Sequence, residues 1–241
     1  MPRAYAAVDR AEDQPDVARL TNVTGAAIVA RATATSGIPL IHLSTDYVFD
    51  GRKSGPYIES DLVAPLNVYG QSKAEGETNV RAAAPRHIIL RTAWVYGRFG
   101  RNFLKTVLCL ARERPELRIV ADQHGSPTAT VDLAAAIFEI DAAIQGGRDI
   151  PWGTYHFAGT EATSWHGLAE AIVAAQAPAT GLRPPVMPVA TADYPATAQR
   201  PLNSELDSTR FAAVFGYRAA SWRERVHEIV AASLNPMEVR P

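Results

Sequence analysis

Three observations predict an α/β fold, a parallel sheet with helices on both faces. Short apolar runs alternate with longer stretches of helical periodicity along most of the 241 residues. The runs are continuous rather than alternating, as strands buried on both faces require. Glycine, proline and small polar residues punctuate the junctions.

In order along the chain, Asp16 to Ala34 is predicted as a helix, with Val17, Leu20, Val23, Ala27 and Ala30 at near-helical spacing and Ser36-Gly37 ending it. Ile38 to Leu43 is a buried strand that delivers Ser44 and Thr45 at its carboxyl end. Ligands of open α/β sheets sit outside such ends. Pro65-Leu66-Asn67 leads into a helix through Glu77 and Arg81, and His87 to Arg91 is a second buried strand, ending at the run Thr92 to Gly97. A helix over Asn102 to Arg114 is closed by Pro115, and Leu117 to Val120 is a short strand. Thr130 or Asp132 opens a helix over Leu133 to Ile144, closed by Gly146-Gly147. Gly153 to Gly159 is a strand between glycines, and Thr163 or Ser164 caps a helix over Trp165 to Gln176. The proline-rich passage from Pro178 to Pro201 reads as linker or binding loop. Helices over Asp207 to Phe215 and Trp222 to Leu234 follow.

Composition narrows the class. A hydrophobic content of 47% is ordinary for a globular protein, as is the mean hydropathy of -0.09. No apolar run approaches the roughly 18 residues a membrane span needs. A formal charge of -1 gives no reason to expect nucleic acid or an anionic membrane surface. Cys109, the only cysteine, lies in the apolar run Phe103 to Ala111 and is expected to be a buried structural thiol. Met1 to Asp16 is mixed and acidic rather than basic and then apolar, so a cytoplasmic location is the default expectation. No cluster of Cys, His and carboxylates has metal-ligand spacing, so no catalytic metal is expected. His42 and His156 lie within strand patterns and read as structural.

The chemistry centres on Tyr69 and Lys73. Four positions apart, they share one helix face. An ammonium beside a phenol favours the phenolate and lowers a pKa that is about 10 when unperturbed. That would make Tyr69 a proton donor and acceptor near neutral pH. Such pairs are common on solvated helices, but here hydroxyls stand at the end of the preceding strand, so a proton-handling site is expected.

These stretches resemble the extended short-chain dehydrogenase/reductases, and among them the dTDP-4-dehydrorhamnose reductases. The resemblance rests on Ala7 to Glu12, Ser44 to Gly51 (Ser-Thr-Asp-Tyr-Val-Phe-Asp-Gly), Pro65 to Lys73 (Pro-Leu-Asn-Val-Tyr-Gly-Gln-Ser-Lys) and Arg91 to Gly97 (Arg-Thr-Ala-Trp-Val-Tyr-Gly). Asn102-Phe103, Asp122 to Thr128, Thr154 to Phe157 and Arg200 to Ser204 continue it over almost the whole chain. It implies a Rossmann-type parallel sheet plus a small α/β substrate-binding domain, with residues 1–97 and 122–160 in the dinucleotide-binding domain and 98–121 and 161–241 in the substrate-binding region. It also implies NADPH or NADH as cofactor and reduction of a 4-keto group on a dTDP-linked 6-deoxyhexose, giving dTDP-L-rhamnose. On that resemblance Tyr69 protonates the carbonyl oxygen, Thr45 hydrogen-bonds it, and Lys73 holds the nicotinamide ribose. Trp94 packs on the sugar, Asp46 reaches its hydroxyls, and Asn102 and Arg200 face the nucleotide. Ala4 and Tyr5 lie along the cofactor. The family sometimes carries a magnesium ion (Mg2+) at a subunit interface, which no named residue here is assigned to hold, and a homodimer is an expected assembly.

One family element is missing from the sequence. The family's first strand and its glycine-rich G-x-x-G-x-x-G turn, which hold the cofactor pyrophosphate, have no counterpart here. The expectation is therefore an N-terminally truncated domain, with Met1-Pro2-Arg3 in place of a buried strand end and Ala6 where the family commonly carries threonine. Weak NADPH binding and an aggregation-prone sheet edge are expected with it. Two alternatives stand beside reduction. One is a 4,6-dehydratase or epimerase; dehydratases need a carboxylate where Tyr47 stands, which argues against them. A non-catalytic or vestigial binding protein has precedent in the regulatory subunit of methionine adenosyltransferase, which resembles the same reductases.

Overall fold

A computed structural model describes residues 4–234; the expectation for Met1-Pro2-Arg3 lies outside them. The chain opens with helices α1 (Val8–Asp13) and α2 (Pro15–Arg19), a π turn (Leu20–Thr24) and α3 (Gly25–Thr35). Strand β1 (Leu40–Thr45), a 3-10 turn (Asp46–Val48), helix α4 (Val68–Ala83) and strand β2 (His87–Thr92) follow. The middle of the chain carries β3 (Val95–Tyr96), α5 (Phe103–Glu113), β4 (Leu117–Val120), β5 (His124–Gly125), β6 (Thr128–Ala129) and α6 (Thr130–Gln145). The last part adds β7 (Gly153–His156), β8 (Thr163–Ser164), α7 (Trp165–Thr180), β9 (Val186–Val189), α8 (Thr209–Phe215) and α9 (Trp222–Leu234).

Strands β1, β2 and β7 form a parallel sheet with β2 in the middle. All six residues of β2 are buried, and the pleat sends them to opposite faces. Ile89 joins Ala26 and Ala30 of α3, Val80 of α4 and Ala84 just past its end on one face. Ile88 and Leu90 pack with Leu133, Ala136 and Ile140 of α6 and with Phe211 and Phe215 of α8 on the other. Helices thus cover both faces, as the unbroken apolar runs predict. The first strand corrects one expectation. It starts at Leu40, has a single neighbour, and leaves Leu43 41% exposed, because the described sheet ends at this strand.

A second layer builds on α5, α7 and α9, whose Leu104, Val107, Leu168, Ile172, Trp222 and Val226 are all buried. Here the passage from Pro178 to Pro201 departs from a simple loop. Its residues Val186–Val189 form β9, which pairs in parallel with β4. Helix α7 also runs past Gln176 to Thr180 and stops at Gly181, whose φ of +71° favours glycine. Cys109 is exposed rather than buried, and its thiol donates to Glu113 Oε1 at 3.2 Å. The buried stripe of α5 is Leu104, Val107, Leu108 and Ala111, so Cys109 falls on the outer face despite its apolar neighbours. No described helix is long and apolar enough to cross a membrane.

Candidate active site

The carboxyl end of β1 meets the first turn of α4. Asn67 caps that helix, its Oδ1 accepting from the Gly70 amide at 2.8 Å. Three residues past the cap, a Cβ on Gly70 would lie 2.2 Å from the Tyr47 carbonyl oxygen. Only glycine allows that approach, and it brings the 3-10 turn after β1 against the helix start. The Tyr47 and Tyr69 rings then meet edge to face, with centroids 5.7 Å apart. Thr45 is buried, its hydroxyl donating to Asp46 Oδ1 at 2.9 Å and accepting from the Tyr47 amide at 3.2 Å. Thr45, Asp46, Tyr69 and Lys73 are therefore brought together.

Their electrostatics differ from the simple ammonium–phenol pair. Burial pushes Tyr69 up to about 12; the Thr45 hydroxyl opposes the rise and the Asp46 charge adds to it. Lys73 does not lower it. The Lys73 ammonium, buried at 3% exposure, turns toward the sheet and donates to the Leu43 carbonyl at 2.7 Å. Desolvation brings it down to about 8, against the pull of Glu77. Asp46 is 2% exposed and burial raises it to about 6, with Ser204 and Thr45 hydrogen bonding acting the other way. Its Oδ2 is buried with no hydrogen-bond partner among the described residues.

Other expected site residues have partners within the protein. Trp94, at φ +46°, stacks on Trp165 with centroids 3.5 Å apart and donates to Ser204 Oγ at 3.1 Å. A Cβ on Gly125 would lie 2.5 Å from its Cε2. The indole is thus built into an internal stack, not left as an open platform for a sugar. Asn102 caps α5, accepting from the Lys105 amide and donating to the Gly97 and Phe99 carbonyls, so its amide is fully used. Arg200 pairs with Asp9 at 2.7 Å and donates to the Ala198 carbonyl. Ala4 is exposed. Tyr5 is held at both backbone groups by Asn22, whose Nδ2 also donates to Ser72 Oγ at 2.9 Å. Asn22 was not legible in the sequence. It sits in the π turn, which turns it inward to 3% exposure, and helical spacing does not reveal such a turn.

Beside Tyr47 opens a cavity of about 490 Å³, walled by Phe103, Trp165, Gln123, Thr191, Tyr194 and Arg200 among others. It joins aromatic faces to a guanidinium, a combination suited to a base or sugar carrying phosphate. Trp165, Gln123 and Tyr194 come from three separate segments, and sequence reading had no signal that they converge. Among the described residues no three or more His, Cys, Asp or Glu side chains are grouped to hold a metal.

The family model described as the RmlD substrate binding domain matches residues 3–235. The chain belongs to the RmlD substrate binding domain family. This RmlD-family chain is 42% identical over 232 residues to a dTDP-4-dehydrorhamnose reductase of Sinorhizobium fredii, covering 96% of the chain and 78% of that protein. It is 38% identical to the dTDP-4-dehydrorhamnose reductase of Escherichia coli K12, covering 94% and 76%. The crystal structure of a Bacillus anthracis dTDP-4-dehydrorhamnose reductase in complex with NADP superposes on the RmlD-family fold with a TM-score of 0.85, at 36% identity over 95% of this chain and 78% of that one.

Proposed function

We propose that the chain reduces the 4-keto group of dTDP-4-dehydro-6-deoxy-L-mannose to give dTDP-L-rhamnose, with NADPH or NADH as reductant. The observation that carries this reading is the meeting of Thr45, Tyr69 and Lys73 at the end of a parallel strand, beside a cavity edged by Arg200. The names of the relatives, and the NADP held by one of them, support it.

The residues present fit the nicotinamide half of the cofactor. Lys73 spends one hydrogen bond on Leu43, so an ammonium with further N–H groups stands one helical turn from the Tyr69 phenol. Lys73 and Tyr69 would hold the ribose, with Ala4 and Tyr5 alongside. When bound, the cofactor supplies the hydride that reduces the carbonyl carbon. Tyr69 is the acid: raised to about 12, it remains protonated throughout the neutral range and has its proton ready for the carbonyl oxygen. Thr45 donates a second hydrogen bond to that oxygen as negative charge develops, turning its hydroxyl away from Asp46. Arg200 exchanges its half-exposed partner Asp9 for the diphosphate, where a planar guanidinium binds two oxygens at once. Trp94 stacks behind Trp165, which lines the cavity wall.

The test is to incubate the protein with NADPH and dTDP-4-dehydro-6-deoxy-L-mannose and follow the loss of NADPH absorbance. Oxidation that depends on the sugar nucleotide supports the reading. No oxidation, at protein and cofactor concentrations high enough to saturate weak binding, sinks it.

A further inference from the structure

One buried charge cluster lies outside the proton-handling residues. Glu77, fully buried on α4, accepts from Arg91 Nε at 2.8 Å and Nη2 at 2.7 Å, and from Arg81 Nη2 at 2.7 Å. Arg91, 1% exposed, stands on β2 directly opposite Ser44 of β1. Lys73, one turn before Glu77 on the same helix face, holds the carbonyl of Leu43, the residue just before Ser44. Helix α4 therefore clasps a single step of the sheet twice, once through Lys73 and once through the Glu77–Arg91 fork. Thr45 is the next residue along.

We propose that Glu77 is a positioning residue for Lys73: it supplies the buried counter-charge of that ammonium and, through Arg91, pins the strand end that carries Thr45. Two features point beyond an ordinary structural ion pair. The first is the charge count. Lys73 and Arg91 are buried cations, and Glu77 is the carboxylate whose field acts on Lys73. The other groups around the cluster are Arg81 on α4, His42 on β1, His87 on β2 and His156 on β7. His42 and His156 are held neutral near pH 7 by burial, with values of about 4 and about 3, so they add no negative charge. Asp46 and Tyr69 lie toward the other end of the helix. The second feature is the state of Glu77 itself. Burial raises its pKa, but the Arg91 hydrogen bonds and charge outweigh this and hold it below the usual carboxylate range.

Without the carboxylate, the buried Lys73 ammonium loses the one opposing charge that acts on it and can shed its proton more readily. An opposite charge within hydrogen-bonding distance or a little beyond commonly moves a pKa by roughly one unit or more. The role of Lys73 in reduction rests on the function proposed above, but its charge can be measured without it. The chain has only three lysines, Lys53, Lys73 and Lys105, so 13C,15N-lysine labelling gives a resolvable NMR titration, assigned with Lys53→Arg and Lys105→Arg. In Glu77→Gln the Lys73 titration should move down by roughly one unit or more, and the alkaline limb of kcat/KM should move with it while KM for the sugar nucleotide changes little. Should Glu77→Gln not fold, Arg81→Gln decides. Its side chain is 40% exposed and competes for the same Oε2, so its removal should move the Lys73 titration upward. An unmoved Lys73 titration in a folded Glu77→Gln protein overturns the proposal, as does an unmoved or downward titration in Arg81→Gln. A shifted titration with no reductase activity in the parent protein supports the positioning role and counts against the proposed reaction alone.

Discussion

At the scale of single residues, burial sets the chemistry more than pairing does. Replacing Tyr69 with Phe removes the proton donor while keeping the ring contact with Tyr47. It should lower kcat by about a hundredfold or more with an unchanged melting temperature, checked by steady-state kinetics and calorimetry on one preparation. Asp46 makes a separate prediction about stability. Its folded value of about 6 lies above the unfolded value of 3.8, so the folded state binds more protons between them. Its contribution is fully present below about pH 4 and is lost as pH rises through 6. Asp46→Asn should therefore be more stable than the parent at pH 7.5, by on the order of 2–3 kcal/mol, with the gap closing toward pH 4 in a series of urea melts. Thr45, Tyr69 and Lys73 could be singled out in the sequence because motif and spacing are local. Sequence reading misjudged the pKa of Tyr69 because desolvation depends on the Tyr47 turn folding over the helix start, which spacing along one helix does not encode.

At the scale of elements, the strands and helices of the sheet layer were legible. Continuous apolar runs such as His87 to Arg91 admit few other structures, and Asn67 and Ser164 announce their helices by side-chain capping. What escaped was non-local or register-dependent. Strand β9 contains Pro188 and exists through its pairing with β4, almost seventy residues earlier. The π turn around Asn22 looks like ordinary helix in sequence. Asn102 has an element-scale role. Its three hydrogen bonds to backbone fix the start of α5, so Asn102→Ala should cost about 1 kcal/mol and lower the melting temperature. Asn102→Asp keeps the Lys105 acceptor but loses both donors and turns a carboxylate oxygen toward the Gly97 carbonyl, so it should regain only part of that stability, read by the melting temperature.

At the scale of the molecule, two buried imidazoles make the fold sensitive to acid. The Nδ1 of His156 donates to the Tyr57 carbonyl at 3.0 Å, and its Nε2 faces Arg91 Nη1 at 3.4 Å, so a second ring proton would oppose a guanidinium. Its folded value of about 3 and that of His42, about 4, lie below the unfolded 6.5. The stability they contribute is complete above 6.5 and is lost as pH falls through 4 and 3. Asp46 acts in the opposite sense between about 6 and 4, but one carboxyl does not offset two imidazoles. The melting temperature should fall steadily between pH 6.5 and 4, and His156→Gln should make that slope shallower; a flat profile in the parent would contradict the assignment.

The β4–β9 pairing has a consequence for how such a protein can change. The residues proposed to handle the proton come from positions 45 to 73, whereas the cavity wall beyond Tyr47 comes from 103 to 200, held in shape by that ribbon and the helices behind it. On the proposed function, a substitution at Gln123 or Tyr194 should alter which molecule is seated without touching the residues proposed to protonate it. On the function proposed above, descendants of this fold could trade one sugar nucleotide for another by rewriting a wall, and keep an inherited reaction while doing so.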